Sequence, residues 1–132
     1  MLIPPISEYM STSTHTIGAE QPLSVAHRIM REHQIRHLPV LRGGQIVGLV
    51  SQRDLHLVET FKDTDPDEVT VEEAMSQDVL TVPPEACLDE VVDMMSARKL
   101  GSVVIMRQGR VEGIFTTTDA LYALARVLRR AG

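Results

Sequence analysis

The chain has 132 residues, a length that suits one domain or two tightly packed half-size units. Hydrophobic residues make up 43% and charged residues 23%, an ordinary globular composition, and the formal net charge of -5 argues against general electrostatic binding to nucleic acid. The single cysteine, Cys87, excludes an intramolecular disulfide framework and a cysteine-rich zinc site.

Most of the chain consists of two copies of one pattern. Placing Met10-Ser11 on Met75-Ser76 aligns the two halves without a gap, and the apolar positions stay in phase throughout. Identical residues in this alignment include Thr16 with Thr81, Gly48 with Gly113 and Asp54 with Asp119. An unbroken register of this kind predicts a structural repeat.

The first copy is predicted to contain a short strand at residues 14–17 and, after Pro22, a helix with one apolar face. Two apolar runs then flank Gly43-Gly44, which predicts a β-hairpin because glycine accepts the positive φ angles of a tight turn. A second helix is expected to begin near Ser51. The predicted unit is therefore β-α-β-β-α.

The second copy repeats this order. A short strand is predicted at residues 79–82, and an apolar stripe at helical spacing begins at Leu88. A hairpin is expected to turn at Gln108-Gly109, and a final helix to begin near Thr116. The fold class is therefore α/β (α+β), with two similar units.

The repeat also predicts the domain boundaries. Unit one, with an N-terminal lead-in, is placed at residues 1–61 and unit two at residues 71–132. The acidic segment 62–70, which contains Pro66, is predicted to be a solvated linker. Because one unit alone would have a marginal core, we expect the two to pack together.

One motif recurs at Gly48–Asp54 and Gly113–Asp119: a glycine, two apolar residues, a hydroxyl residue, two spacers and an aspartate. The hydroxyl residue falls where a strand ends and a helix begins, so free backbone N–H groups there can attract phosphate. The aspartate one turn later can accept hydrogen bonds from the two hydroxyls of a ribose. The motif therefore fits a nucleoside phosphate.

The same residues also fit a purely structural role. Ser51 with Asp54, like Thr116 with Asp119, resembles a capping box that starts the helix. Taken alone, capping is the simpler interpretation. The two roles are compatible, because Ser51 can cap the helix in the empty protein and contact a ligand in the bound protein.

Other polar residues are weaker candidates. Thr16 and Thr81 could bond a base edge or a phosphate, although strand propensity alone explains them. Arg36 could neutralise a phosphate and His37 could line a pocket, but a solvated start of a strand is the simpler explanation for each.

Metal binding and catalysis find little support in the sequence. The five histidines, His15, His27, His33, His37 and His56, show neither a His-Glu-x-x-His nor a Cys/His ligand pattern. No nucleophile elbow, Walker A lysine or dinucleotide-binding loop occurs. Cys87 is expected to be passive, because Pro22 takes its place in the first copy. We therefore expect no metal site and no catalytic residue.

The repeat and its motifs resemble a tandem pair of CBS (cystathionine β-synthase) domains, often called a Bateman module, from about Ile6 to Tyr122. The residues that carry the likeness are Arg36-His37-Leu38-Pro39-Val40, Gly48–Asp54 and Gly113–Asp119. The resemblance implies two units packed sheet to sheet, with clefts that hold an adenosine-type effector. The implied ligands are AMP above all, ADP, ATP, S-adenosylmethionine or NAD.

The resemblance also implies roles for individual residues. Asp54 and Asp119 would hold ribose hydroxyls, and Ser51 and Thr116 would contact phosphate or ribose. The implied ligand-binding residues are Thr16, Ile17, Arg36, His37, Leu38, Pro39, Ser51, Arg53 and Asp54 in the first copy, and Thr81, Val82, Lys99, Gly101, Ser102, Thr116, Thr118 and Asp119 in the second.

The second copy departs from the family pattern. Thr118 stands where the first copy has Arg53, and Gly101-Ser102 replaces Arg36-His37. The second site therefore loses cationic partners for a phosphate, a loss for which Lys99 could compensate. We expect unequal sites, with the first better suited to a phosphorylated ligand.

The expected function is ligand sensing without catalysis. Bound nucleotide would favour one conformation, and the signal would pass to an unidentified regulated protein or through the homodimer that the resemblance implies. Two alternatives stay open: an adaptor that dimerises without binding nucleotide, and a small enzyme on the same scaffold.

Neither a membrane nor nucleic acid is expected as a partner. No stretch approaches the roughly 18 consecutive apolar residues of a membrane span. Residues 1–5 have no basic start before an apolar run, as a secretory signal would. A cytoplasmic location is therefore predicted.

Overall fold

The computed structural model describes residues 2–13, 15–62 and 65–131. The chain divides into two compact units, which are His15–Val79, called the first-copy unit below, and Met1–Thr14 with Leu80–Gly132, called the second-copy unit. Thr14 of the predicted first strand and residues 63 and 64 of the predicted linker lie outside the described residues.

The elements follow in the order β1 (Ser11–Thr12), β2 (Ile17–Gly18), α1 (Leu23–His33), β3 (His37–Arg42), β4 (Gln45–Ser51), α2 (Gln52–Lys62), α3 (Val71–Ala74), β5 (Thr81–Val82), α4 (Leu88–Arg98), β6 (Ser102–Arg107), β7 (Arg110–Thr116) and α5 (Thr117–Ala131). A short 3-10 helix at Ile6–Glu8 precedes them. The predicted mixed α/β fold with two β-α-β-β-α repeats is confirmed. Strand β1, helix α3 and the 3-10 helix are additions to the predicted pattern.

Each unit contains one small sheet. The first-copy unit has the order β2-β3-β4, and the second-copy unit has the order β1-β7-β6-β5. The short strands β2 and β5 pair in parallel with β3 and β6, whereas the hairpin strands are antiparallel. The hairpin turns use positive φ angles at Gly43, Gly44 and Gly109, as the sequence predicts.

The two hairpins have the same register at the end that adjoins the following helix. His37, which opens β3, is paired with Ser51, which closes β4. Ser102, which opens β6, is paired with Thr116, which closes β7. Each motif hydroxyl therefore stands opposite the first residue of the preceding strand, at the point where α2 or α5 begins.

Each unit has its own hydrophobic core, built from the apolar helix faces and the inward side of its sheet. The first-copy core contains Ile17, Ala19, Leu23, Ala26, Met30, Leu38, Val40, Val50, Leu55, Val71 and Ala74. The second-copy core contains Ile6, Val82, Leu88, Val91, Met95, Val103, Ile105, Phe115 and Ala123. Among the described helices, none combines the length and hydropathy that a membrane crossing needs.

The segments that precede β2 and β5 are exchanged between the units. We call residues 4–13 the first lead-in and residues 69–78 the second lead-in. The second lead-in packs in the first-copy unit, where the Leu23 N–H donates to the Val69 carbonyl oxygen at 2.9 Å. The first lead-in packs in the second-copy unit, where the Leu88 N–H donates to the Pro4 carbonyl oxygen at 3.0 Å. Both bonds satisfy a helix-start donor that lacks a side-chain cap.

Because of this exchange, the bounds of the compact units differ from the predicted ranges 1–61 and 71–132. Helix α3 belongs to the first-copy unit because Val71 lies in its core. Part of the predicted linker at 62–70 is also ordered, since the Pro66 carbonyl oxygen accepts a 3.0 Å hydrogen bond from the Ser24 N–H. The acidic side chains of Asp67 and Glu68 are exposed.

Candidate functional site

The first candidate site lies where β4 ends and α2 begins. Strand pairing sets His37 opposite Ser51, and the Gln52 N–H donates to the Arg36 carbonyl oxygen at 2.9 Å. Asp54 follows one helical turn after Ser51. The structure therefore brings Arg36, His37, Ser51 and Asp54 to one end of the first hairpin.

Ser51 and Asp54 form a reciprocal capping box. The Ser51 backbone N–H donates to Asp54 Oδ2 at 2.8 Å, and the Asp54 N–H donates to Ser51 Oγ at 3.0 Å. The capping interpretation of the motif is therefore confirmed. Among the described residues, Asp54 Oδ1 accepts no hydrogen bond. One oxygen of this carboxylate is thus open to a donor from a ligand.

The second candidate site repeats this arrangement at the start of α5. The Thr116 N–H donates to Asp119 Oδ2 at 2.9 Å, and the Asp119 N–H lies 3.4 Å from Thr116 Oγ1. The Thr117 N–H donates to the Gly101 carbonyl oxygen at 3.1 Å, as Gln52 does to Arg36.

A hydroxyl from the first lead-in distinguishes the second site. Ser11 Oγ lies 3.2 Å from Asp119 Oδ1 and 3.3 Å from Asp119 Oδ2. Both oxygens of Asp119 therefore have a donor. This contact could not be predicted from the sequence, because Ser11 lies 108 positions before Asp119 and no local pattern links them.

The cationic residues differ between the sites. Arg36 and Arg53 are exposed, and neither guanidinium group has a hydrogen-bond or ion-pair partner within the described parts of the chain. In the second-copy unit, Gly101 and Thr118 are also exposed but carry no charge. Lys99 is exposed and ends α4 in the left-handed conformation, with φ 56°.

The apolar candidates on β2, β3 and β5 are buried. Ile17 and Val82 are only 4% and 7% exposed, and Leu38 is fully buried. Pro39 is buried as well. A ligand beside these strands would contact their backbone more readily than their side chains. The neighbouring threonines are more accessible, since Thr16 is half-buried and Thr81 is exposed.

Several histidines make contacts within the first-copy unit. The rings of His15 and His33 stack with centroids 3.8 Å apart. His27 Nε2 lies 2.5 Å from Glu59 Oε1, and its ring stacks at 5.8 Å on that of His56. These contacts join α1 to α2 and to the segment before β2. No group of three metal-ligating side chains suited to an ion occurs in the described ranges.

The second-copy unit also has an exposed apolar surface on α5. Leu121, Leu124 and Leu128 are 67%, 52% and 61% exposed. Two of these leucines help to line a groove of about 360 Å³. Its other lining residues are Ile3, Pro4, Leu88, Asp89, Val92, Ala120, Ala123 and Val127. We call this surface the α5 groove.

Curated proteins with similar sequences include dehydrogenases and a CBS domain-containing protein. The inosine-5'-monophosphate dehydrogenase of Korarchaeum cryptofilum is 32% identical over 108 residues, which are 81% of this chain and 21% of that enzyme. The CBS domain-containing protein YhcV of Bacillus subtilis is 25% identical over 114 residues, which are 86% of this chain and 81% of that protein. The chain thus spans about a fifth of the length of the dehydrogenases that it matches.

A solved structure matches along almost the whole chain. The CBS domain pair of protein MJ0100, in complex with 5'-methylthioadenosine and S-adenosyl-L-methionine, is 25% identical with a TM-score of 0.81. The match covers 94% of this chain and 98% of that one. The CBS domain family model also matches twice, at residues 6–58 and 71–126. These matches agree with the repeated β-α-β-β-α units, and the chain belongs to the CBS domain family as a tandem pair.

Proposed function

We propose that the chain is a regulatory module that binds an adenosine-type ligand and passes the signal to a partner protein by a conformational change. The observation that carries the proposal is the carboxylate of Asp54, which is held by the helix cap through one oxygen and, within the described part of the chain, accepts no hydrogen bond at the other. The adenosine-type ligands of the MJ0100 domain pair support the same ligand class. The proposal retains the predicted cytoplasmic location.

Asp54 is the proposed ribose contact. Its Oδ1 atom can accept a hydroxyl hydrogen bond without breaking the capping bond at Oδ2. A charged acceptor makes a stronger hydrogen bond than a neutral one, and the cap fixes the direction of the carboxylate before the ligand arrives. Ligand binding at this position therefore needs little reorganisation of the protein.

AMP is the proposed ligand of the first site. Arg36 and Arg53 flank the Ser51 end of the hairpin, and both residues are exposed. A guanidinium group can make two parallel hydrogen bonds with a phosphate. A phosphorylated nucleoside should therefore bind there better than its uncharged counterpart. The second site, with Gly101 and Thr118 at these positions, should discriminate less.

The proposed role is regulatory and not catalytic. The polar atoms of Ser51 and Asp54 are joined to each other by the helix cap, an arrangement that orients a carboxylate but does not activate a nucleophile. The likeness to inosine-5'-monophosphate dehydrogenases covers about a fifth of those enzymes. The adenosine ligand is accordingly an effector.

A homodimer is part of the proposal, and the α5 groove is its proposed interface. Exposed leucines one and two turns apart form a stripe along α5, which a second copy of the chain can cover symmetrically. The same groove favours the adaptor alternative, in which the chain dimerises without binding nucleotide. A measurement of nucleotide binding distinguishes the sensor function from the adaptor function.

Thermal unfolding of the full chain with AMP, ADP, ATP, S-adenosylmethionine and NAD tests the proposal. A ligand that binds only the native state adds about 2.7 kcal/mol to the free energy of unfolding at a hundredfold excess over Kd. UMP, which has the same phosphate and ribose without adenine, is the matched control. If none of the five raises the midpoint above that seen with UMP, the adaptor function replaces the sensor.

A further inference from the structure

We infer that the hydroxyl of Ser11 competes with the ligand for the carboxylate of Asp119, an inference that rests on the proposed function. The hydroxyl of Ser11 already occupies the carboxylate that the ribose hydroxyls would contact. A serine hydroxyl and a ribose hydroxyl are both alcohols and donate to a carboxylate in the same way. A ligand at Asp119 must therefore displace Ser11.

The carboxylate of Asp119 has little remaining capacity. Oδ2 accepts from the Thr116 N–H at 2.9 Å and from Thr116 Oγ1 at 3.2 Å. Ser11 Oγ is shared between Oδ1, at 3.2 Å, and Oδ2, at 3.3 Å. A ribose presents two hydroxyls, so its binding requires the positions that Ser11 covers. Asp54, in contrast, keeps Oδ1 open within the described residues.

The fold delivers Ser11 to this position. Its backbone is paired with Ile114 in the β1–β7 ladder, beside Gly113. A Cβ on Gly113 would lie 2.6 Å from the Ser11 carbonyl oxygen, so the glycine permits the close approach of the lead-in. Rotation about χ1 of Ser11 would release the hydroxyl without breaking the strand pairing. The block is therefore reversible.

The other lead-in provides an internal comparison. Ser76 matches Ser11 in the repeat. It is paired with Leu49 in an antiparallel β-bridge, as Ser11 is paired with Ile114 in the β1–β7 ladder. Its Oγ instead accepts a hydrogen bond of 3.3 Å from the Asp78 N–H, which forms a serine turn. Thus the hydroxyl of Ser76 is used locally, and among the described residues only the second-copy site has such a competitor.

The inference is tested on the full chain by NMR titration with AMP, ATP and S-adenosylmethionine as probes. The backbone amides of Asp54 and Asp119 report on the two sites separately, because each donates to its own motif hydroxyl. We compare Ser11→Ala with Ser76→Ala as the matched control. Ser11→Thr retains the hydroxyl and serves as the conservative variant.

Ser11→Ala should lower the ligand concentration at half-saturation of the Asp119 amide about three- to tenfold, the effect of removing one competing hydrogen bond. The Asp54 amide should not change, and Ser76→Ala and Ser11→Thr should behave as the parent chain. If the parent responds to ligand but Ser11→Ala leaves the Asp119 response unchanged, the competitor role is wrong and the proposed function stands. If neither amide responds in any variant, both are wrong.

Discussion

Gly48 packs against the backbone of Ser76, whose carbonyl oxygen would lie 2.9 Å from a Cβ at position 48. The Leu49 N–H and the Ser76 N–H exchange backbone hydrogen bonds of 3.0 and 2.9 Å beside this contact. The glycine of the recurring motif is therefore required for packing of the second lead-in. Its conformational freedom is not used for a turn, because its φ angle is not positive.

Gly48→Ala should destabilise the protein by about 1–3 kcal/mol, because the added methyl group must push the Ser76 backbone aside. Gly101→Ala is the matched control: a Cβ there meets nothing within 4 Å. Urea unfolding of both variants measures the difference. Equal stability of the two variants would contradict the packing role of Gly48.

Asp54→Ala should weaken AMP binding about tenfold or more, because a hydrogen bond to a charged acceptor typically contributes about 1.5–3 kcal/mol. Asp119→Ala should have a smaller effect, since Ser11 already occupies that carboxylate. Isothermal calorimetry with the full chain gives both affinities. Each variant also loses a helix cap, so its folding at the titration temperature is checked by circular dichroism.

Unchanged AMP affinity in a folded Asp54→Ala variant would remove Asp54 from the ligand site. A loss of equal size in both aspartate variants would show that the sites are equivalent, against the predicted asymmetry.

Arg53→Gln should weaken AMP binding about three- to tenfold and leave 5'-methylthioadenosine, which has no phosphate, unaffected. The AMP effect should shrink at high salt, because the guanidinium is exposed. Arg28→Gln, an exposed arginine on α1, is the control for net charge. Equal losses for both ligands would place Arg53 away from the phosphate.

The converse change should improve the second site. Thr118→Arg supplies the cation that the first copy has at Arg53. AMP should then move the Asp119 amide at a lower concentration, while the response of Asp54 stays as in the parent chain. A higher AMP affinity at the Asp54 site alone would contradict the correspondence between Arg53 and Thr118.

Leu124→Glu should convert the proposed homodimer to a monomer, since it places a charge in the α5 groove, where Leu124 is 52% exposed. Leu57→Glu is the control, because Leu57 on α2 is 63% exposed and lies outside that groove. Light scattering after gel filtration gives the mass of each variant. A monomeric parent chain, or a dimer that survives Leu124→Glu, would reject this interface.

The regular elements could be predicted from the sequence because their signals are local. The apolar stripe from Leu88 and the Gly43-Gly44 turn each specify one element, and the structure contains both. The pairing of Ser51 with Asp54 was also predictable, since a capping box spans only three positions.

Contacts between distant segments could not be predicted in this way. Val69 falls in the predicted linker and Val71 opens the predicted second unit, yet both pack in the first-copy unit. In the sequence, Ser11 is identifiable only as the counterpart of Ser76 in the repeat. Its hydrogen bond to Asp119 depends on the β1–β7 register. Such contacts depend on tertiary packing, which a periodic pattern in one chain does not encode.

The exchanged lead-ins have a consequence for how the halves depend on each other. A polypeptide ending at residue 61 would lack the Val69 carbonyl oxygen that caps α1 and the Val71 side chain that fills its core. A polypeptide beginning at residue 71 would lack the Pro4 carbonyl oxygen at the start of α4 and Ile6 of the second-copy core. Cleavage in the acidic segment would thus yield two incomplete proteins, and each half would need the severed end of the other to fold fully.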